Sequence, residues 1–182
     1  MNPIEAFLRR FRRARSGASA VEFALILPAM LTLYLGTYEV TQGLALDRLV
    51  KLNATTVTNL VAQYTSISAT HDMPDVLAAS SQILSPYPTT ATKAVTVVSL
   101  LSIDASGKAT VSWSQAQNGT ARPVGQAITV PTALAKPNTT LVFGETSMPY
   151  KSPIQFLPLA TWNLYGSTYM APRSSTTINL TA

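Results

Sequence analysis

The residues best suited to catalysis or metal binding lie around the single histidine of this 182-residue chain. His71 is followed by Asp72 and Asp75, so an imidazole and two carboxylates could hold a metal ion, or His71 could activate a serine in a Ser–His–Asp triad. Such polar residues in a proline-containing loop are more often solvated, and serine is abundant enough here to complete a triad by chance. The sequence therefore favours solvated side chains at this loop.

Other chemical groups are missing from the sequence. The chain has no cysteine, which excludes thiolate zinc sites, disulfides and cysteine nucleophiles. None of the common phosphate-binding, zinc-protease or serine-hydrolase motifs occurs. We therefore predict a protein that is not an enzyme and has no catalytic residue, metal site, cofactor or small-molecule substrate.

The net charge of +5 belongs mainly to the N-terminus. Residues 1–17 hold one acidic residue, Glu5, and five arginines: Arg9, Arg10, Arg12, Arg13 and Arg15. The remaining residues carry eight basic and seven acidic side chains, which leaves them nearly neutral. A nucleic-acid-binding domain needs a basic face of its own, so this distribution predicts no nucleic-acid partner.

An apolar stretch follows the arginines and is long enough to cross a membrane. Residues 18–40 are mainly apolar, with only Glu22 and Glu39 charged, and a membrane helix needs about 20 such residues. Arginines directly before a span favour a cytoplasmic N-terminus, which places the C-terminal remainder outside the cytoplasm. A cleaved secretory signal is a weaker alternative, because the small residues Gly43 and Ala45 follow a long polar approach. An uncleaved signal anchor is another.

A third possibility comes from the pattern Gly17, four small or apolar residues, then Glu22-Phe23. This pattern resembles the cleavage site of type IV prepilins and pseudopilins. More narrowly, the segment is similar to the N-terminal signature of the TadE-like family, minor pseudopilins of tight-adherence (Flp) pilus systems. The residues that carry the resemblance are Arg15, Gly17, Ala20, Val21, Glu22, Phe23, Ala24, Pro28 and Leu31.

The resemblance implies a processing site and an assembly site. A prepilin peptidase would cut between Gly17 and Ala18, which makes Ala18 the new N-terminus. Glu22 would then pair with the Ala18 ammonium of its own or a neighbouring subunit, and Glu22 and Phe23 would act in assembly. The implied partners are the inner membrane, the peptidase, other pilin-like subunits and pilus-assembly proteins.

The elements that must position these residues begin with one long helix. Residues 41–64 carry apolar side chains at helical spacing, from Leu46 to Tyr64, so the helix should continue beyond the membrane as an amphipathic extension. Pro28 should kink it. Asp47 and Lys51 should form an i,i+4 pair.

Beyond the helix, residues 65–182 predict an α+β domain. A short helix is expected at 75–84 and a hairpin from 94–104 and 109–115. Further strands are expected at 127–130, 138–148, 166–170 and 175–180, with the last two paired. Residues 153–160 predict a loop with a helical turn. The expected fold is α+β and pilin-like, with the long helix packed on a small antiparallel sheet.

These observations combine into one functional hypothesis and one alternative. Residues 1–17 form a basic cytoplasmic leader, 18–40 a transmembrane helix, 41–64 its amphipathic extension and 65–182 a periplasmic domain. The chain would be a single-pass inner-membrane minor pseudopilin, incorporated in or assembling a pilus. The alternative is an unprocessed, membrane-anchored periplasmic binding or adhesion domain.

Overall fold

The computed structural model describes residues 16–85, 94–151 and 162–182. Its first element is helix α1, Ser16–Val61, whose 46 residues measure about 70 Å. The helix continues through Pro28, where Thr32 donates its hydroxyl to the Pro28 carbonyl at 2.8 Å. The predicted extension to residue 64 is three residues too long, because the chain turns after Val61.

An antiparallel sheet of five strands packs against the second half of α1. The strands are β2, Val95–Ile103; β3, Ala109–Gln117; β4, Ala127–Ile128; β5, Thr139–Tyr150; and β6, Trp162–Met170. Their spatial order is β4-β3-β2-β5-β6, which confirms the α+β architecture of a long helix on a sheet.

The predicted hairpin of β2 and β3 is present, with one irregularity. Leu100 pairs with Trp113 but Leu101 pairs with Val111, so Ser112 is an extra residue in β3. A bulge of this kind lets residues two apart face opposite sides of the sheet. Trp113 therefore packs in the core under α1, whereas Val111 packs on the opposite, outer face.

Two glycines let the helix lie directly on the sheet. A β-carbon at Gly144 would lie 1.8 Å from the Thr58 hydroxyl oxygen, and one at Gly166 would lie 2.8 Å from the Lys51 Cα. Between these close approaches, apolar side chains of α1 such as Val50, Val57 and Val61 are fully buried against the sheet. The predicted apolar face of residues 46–61 is thus covered by the domain.

A polar network crosses the same interface. The Asn53 side-chain amide of α1 donates to the hydroxyls of Thr96 on β2 at 3.0 Å and Thr146 on β5 at 2.9 Å. Ser80 adds a third hydroxyl, 3.4 Å from that of Thr96. Because all four residues are buried, this network fixes the helix at one position along the sheet.

The second helix, α2, spans Asp72–Ile83 and starts three residues earlier than predicted. Pro74 lies within its first turn, where a missing N–H group leaves no helical hydrogen bond unmade. Asp72 accepts a hydrogen bond from the backbone N–H of Ser68 at 2.8 Å. This carboxylate therefore secures the start of α2.

The predicted pairing of the last two strands is wrong. The predicted strand at 166–170 belongs to β6, which pairs along β5. The last strand, β7 (Asn179–Thr181), instead pairs in parallel with β1 (Ser66–Ser68), a strand that the sequence did not reveal. Two contacts draw the C-terminal segment away from β6: Ile178 is buried in the core under α1, and its carbonyl accepts the Trp113 indole N–H at 2.8 Å. The predicted loop at 153–160 lies outside the described residues.

Candidate membrane span and assembly surface

The N-terminal half of α1 is exposed on all sides. Every side chain from residue 17 to residue 34 is exposed, among them the large apolar residues Leu25, Leu33 and Tyr34. Within the described residues, α1 is the one helix long and apolar enough to cross a membrane, and its most apolar window has no buried residue. An exposed surface that is apolar around the whole helix requires lipid or other apolar helices around it.

The predicted processing and assembly residues all lie in the first two turns of α1. Gly17 and Ala18 are in its first turn, and Glu22 and Phe23 follow one turn later. Glu22 is exposed and Phe23 is 59% exposed, so the domain covers neither. Ala18 and Glu22 are four residues apart and share one helix face. The structure thus presents these four residues together, away from the domain.

Gly17 differs from the glycines at the helix–sheet interface. A β-carbon at Gly17 would meet no atom of the described residues within 4 Å, whereas Gly144 and Gly166 have no room for one. Packing among the described residues therefore does not explain the glycine at this position, the second residue of α1.

Glu39 marks the end of the exposed half. Its exposed fraction is 2%, and the Tyr150 hydroxyl lies 3.4 Å from its backbone carbonyl. The sequence interpretation treated Glu39 only as an interruption of the apolar stretch. Its position could have been found from spacing, because Glu39, Gly43, Leu46 and Val50 follow one another at steps of four, three and four on the face that meets the domain.

The family comparison agrees with this geometry. The family model of TadE-like proteins matches residues 17–48. The match confirms the resemblance seen in the sequence over about a sixth of the chain. The TadE-like segment covers the exposed half of α1 and the first contacts with the domain. It associates the chain with tight-adherence pili and with membrane anchoring by one helix. No curated protein and no solved structure matches the chain.

A second cluster, unseen in the sequence, lies on the outer face of the sheet. Arg122 donates from Nε and a terminal nitrogen to the two carboxylate oxygens of Glu145, at 2.6 and 2.7 Å. The Tyr165 hydroxyl donates to the same carboxylate at 2.7 Å. The Arg122 guanidinium also lies over the Phe143 ring, 5.7 Å from its centre. This cluster could not be predicted from the sequence, because its members are far apart in the chain and come from a loop and two different strands.

The electrostatics of the cluster follow from these contacts. The hydrogen bonds to Glu145 raise the pKa of Arg122, which keeps the guanidinium charged. Partial burial, then the hydrogen bond to Glu145, raises the pKa of the Tyr165 phenol, and burial also raises the pKa of Tyr169. A pocket of about 350 Å³ lies beside the cluster, with Val95, Val97 and Ser147 in its lining. The ion pair ties the segment around Arg122 to the sheet.

The residues around His71 stay apart. Among residues 16–85, 94–151 and 162–182, no three His, Asp or Glu side chains form a group that could hold a metal ion. Asp72 instead bonds to the Ser68 backbone, and His71 occupies the position before α2 without a capping bond from its side chain. The contacts of Asp72 therefore show this loop stabilising the start of α2.

Proposed function

We propose that the protein is a minor pseudopilin of a tight-adherence (Flp, type IV-like) pilus, anchored in the inner membrane and acting by assembly, not by catalysis. One observation carries the proposal: the part of α1 that matches the TadE-like family includes the part that the domain leaves exposed on all sides. Such a helix suits lipid before assembly and the packed helices of a filament afterwards.

The proposed topology places residues 1–17 in the cytoplasm, a span at 18–40, an extension at 41–64 and the domain of residues 65–182 in the periplasm. The arginine cluster supports the orientation. From Ala18 to Tyr38 the helix rises about 30 Å, the thickness of a hydrocarbon core. Since Glu39 is buried against the domain, the proposed lipid boundary lies beside Tyr38, within the last turn of the span. Reporters active in only one compartment, fused after Ala182, test the orientation, and cytoplasmic activity alone would contradict it.

Gly17 and Ala18 form the proposed processing site for a prepilin peptidase. The open space around Gly17 supports this role, because packing among residues 16–85, 94–151 and 162–182 does not explain the glycine, and a protease pocket often requires a small side chain. Gly17→Leu should accumulate as the full-length species, whereas Gly166→Leu should disturb folding instead. Wild-type protein that stays full length in a cell with active peptidase would contradict processing.

Glu22 is the proposed assembly residue, with Phe23 beside it. After cleavage the Ala18 ammonium lies one turn from Glu22 on the same helix. Within one exposed chain such a pair contributes only about 0.2–0.5 kcal/mol. Between chains in a water-poor contact, the loss of one partner leaves the other charge unpaired and costs far more. The pair therefore matters for the register between subunits.

The test of Glu22 uses a conservative substitution and a matched control. Glu22→Gln should insert and fold like wild type, yet fail to co-purify with other pilin-like subunits and fail to support pili. Thr41→Ala, an exposed polar position on the same helix beyond the span, should assemble normally. Normal pilus numbers with Glu22→Gln would contradict an assembly role.

The alternative is a membrane-anchored binding or adhesion domain that is never processed or assembled, and the outer-face pocket is where such a domain would bind a ligand. Under that alternative, Gly17 and Glu22 tolerate substitution, and changes at Tyr165 abolish binding. Sequencing the N-terminus of the protein recovered from its native cell separates the two: Ala18 supports the pseudopilin, and the original N-terminus supports the alternative.

A further inference from the structure

The edge of the domain nearest the exposed helix carries aromatic side chains. Tyr150 ends β5 and Trp162 begins β6, and the two residues pair across these strands. Both lie against Gly43 of α1: a β-carbon there would be 3.3 Å from a Tyr150 ring carbon and 3.5 Å from a Trp162 ring carbon. The Tyr150 hydroxyl reaches back to the Glu39 carbonyl. These two rings therefore lie at the level of Gly43, about one and a half turns beyond Tyr38.

This level corresponds to the headgroup region of a bilayer. Gly43 follows Tyr38 by five residues, which is about 7.5 Å along the helix. The polar zone on each side of a hydrocarbon core is about 5–8 Å deep. Trp162 would thus lie within the headgroups of the outer leaflet if the span ends at Tyr38.

The chemistry of the edge fits that zone. Trp162 is 40% exposed although its ring is large and apolar, and Tyr38, also exposed, lies on α1 at the proposed lipid boundary. Lys151, exposed directly after Tyr150, adds a cation that suits lipid phosphates. Tryptophan and tyrosine concentrate at membrane interfaces because each has an apolar ring and a polar group.

We propose that the exposed side chains of this edge, Lys151 and Trp162, rest on the phospholipid headgroups of the membrane that α1 crosses, while the buried Tyr150 holds the edge against the helix. The contact holds the domain against the bilayer before assembly. It also limits the tilt of the domain relative to the membrane, since a single helix can tilt within the bilayer and the domain would tilt with it. The proposal relies on the membrane anchoring in the proposed function and on none of its peptidase or pilus steps.

The two tryptophans of the chain provide the test. Trp113 is buried beside Val57 and Val61, about 20 Å farther along the helix from Gly43, so it serves as an internal control. The full chain is reconstituted into phosphatidylethanolamine–phosphatidylglycerol vesicles in which some lipids carry a nitroxide on the headgroup. Emission from Trp162 is the difference between wild type and Trp162→Phe, so the buried Trp113 need not be changed.

Headgroup nitroxides should quench Trp162 several-fold more than Trp113, and iodide should quench Trp162 less in vesicles than in detergent. Lys151→Glu should reduce the nitroxide quenching of Trp162, whereas Lys136→Glu should leave it unchanged. Equal quenching of both tryptophans in protein that floats with the vesicles would overturn the headgroup contact and leave the anchoring intact. Protein that does not float with the vesicles would overturn both.

Discussion

Gly166 lies directly beneath Lys51, with backbone facing backbone. A β-carbon on Gly166 would be 2.8 Å from the Lys51 Cα, which is too short for atoms that are not bonded, and 3.1 Å from the Val50 carbonyl oxygen, which is a very tight contact. The Lys51 side chain points away from the sheet and pairs with Asp47 at 2.7 Å, as predicted from their spacing. Strand β6 and helix α1 therefore approach through their main chains.

Replacing Gly166 with alanine should push the helix off the sheet. Overpacking of this kind costs about 1–3 kcal/mol, and here the clashing atoms belong to backbone that has little room to shift. Urea titration in detergent, with the buried Trp113 as the fluorescent probe, measures the loss. Asn163→Ala, at an exposed position of the same strand, should change the free energy of unfolding by no more than about 0.5 kcal/mol. Equal effects of the two substitutions would contradict the close approach.

The sequence predicted those features that depend on neighbouring residues. The hairpin of β2 and β3 follows from a short turn between two β-forming runs, and the exposed span follows from composition. In the predicted strand at 138–148, residues two apart share a face, so Leu141 and Phe143 lie opposite Val142, and the core clusters show the same arrangement.

Contacts between residues far apart in the sequence could not be predicted in the same way. Strand β7 joins β1 across more than 110 residues, and three-residue strands carry no periodic signal of their own. Arg122 and Glu145 are 23 residues apart and meet only because their loop folds over the sheet. Asn53 appears in the sequence as a helical polar residue, whereas in the fold its side chain donates to hydroxyls on two strands.

The ion pair of Arg122 and Glu145 on the outer face should stabilise the fold more than a surface salt bridge does. Arg122→Ala leaves the Glu145 carboxylate, which is 8% exposed, with Tyr165 as a partner but without a countercharge. Because the Arg122 side chain is itself 29% exposed, the expected loss is about 2–3 kcal/mol, below the range for a fully buried pair. Lys136→Ala is the control, and it should lose at most about 0.5 kcal/mol.

A double substitution tests the cause of that loss. Arg122→Ala with Glu145→Gln should be more stable than Arg122→Ala alone, because the amide is neutral and no longer needs a countercharge. The free energies of unfolding of the four proteins form a double-mutant cycle. Strictly additive losses would mean that the two side chains stabilise the sheet independently.

Asp104 should make the β2–β3 turn sensitive to acid. Its carboxylate accepts hydrogen bonds from the Ser106 hydroxyl and from the Lys108 backbone N–H, and these bonds lower the pKa of Asp104. A lowered pKa in the folded state means that the carboxylate stabilises the fold at neutral pH. That contribution disappears as the pH falls through the lowered pKa.

The comparison of wild type with Asp104→Asn isolates this effect. At about pH 6, where the carboxylate is ionised in both states, wild type should have the higher Tm. The difference should shrink on acidification below about pH 3.9, the pKa of an unperturbed aspartate. Asp47→Asn, on the exposed side of α1, is measured in parallel. A Tm difference for Asp104→Asn that persists unchanged in acid would contradict the role of the charge.

Substitution of Glu22 should leave the stability of the fold unchanged, whereas substitution of Glu39 should lower it. Glu22 is exposed and lies far along α1 from the described part of the domain, so Glu22→Ala should leave the free energy of unfolding within about 0.5 kcal/mol of wild type. Glu39 is 2% exposed at the point where the helix meets the domain. Glu39→Ala removes a buried side chain and leaves a cavity, with an expected loss of about 1–3 kcal/mol.

The two substitutions should also reduce pilus number for different reasons, and this difference separates a defect in assembly from a defect in folding. Glu22→Ala should reduce pilus number at normal protein level, whereas Glu39→Ala should lower the amount of folded protein and reduce pili only in proportion. Immunoblots of membrane fractions, pulse proteolysis and pilus counts on the same cells measure all three quantities. A destabilised Glu22→Ala protein, or a Glu39→Ala protein as stable as wild type, would mean that the domain does not begin at Glu39. The boundary between span and domain would then lie elsewhere on α1.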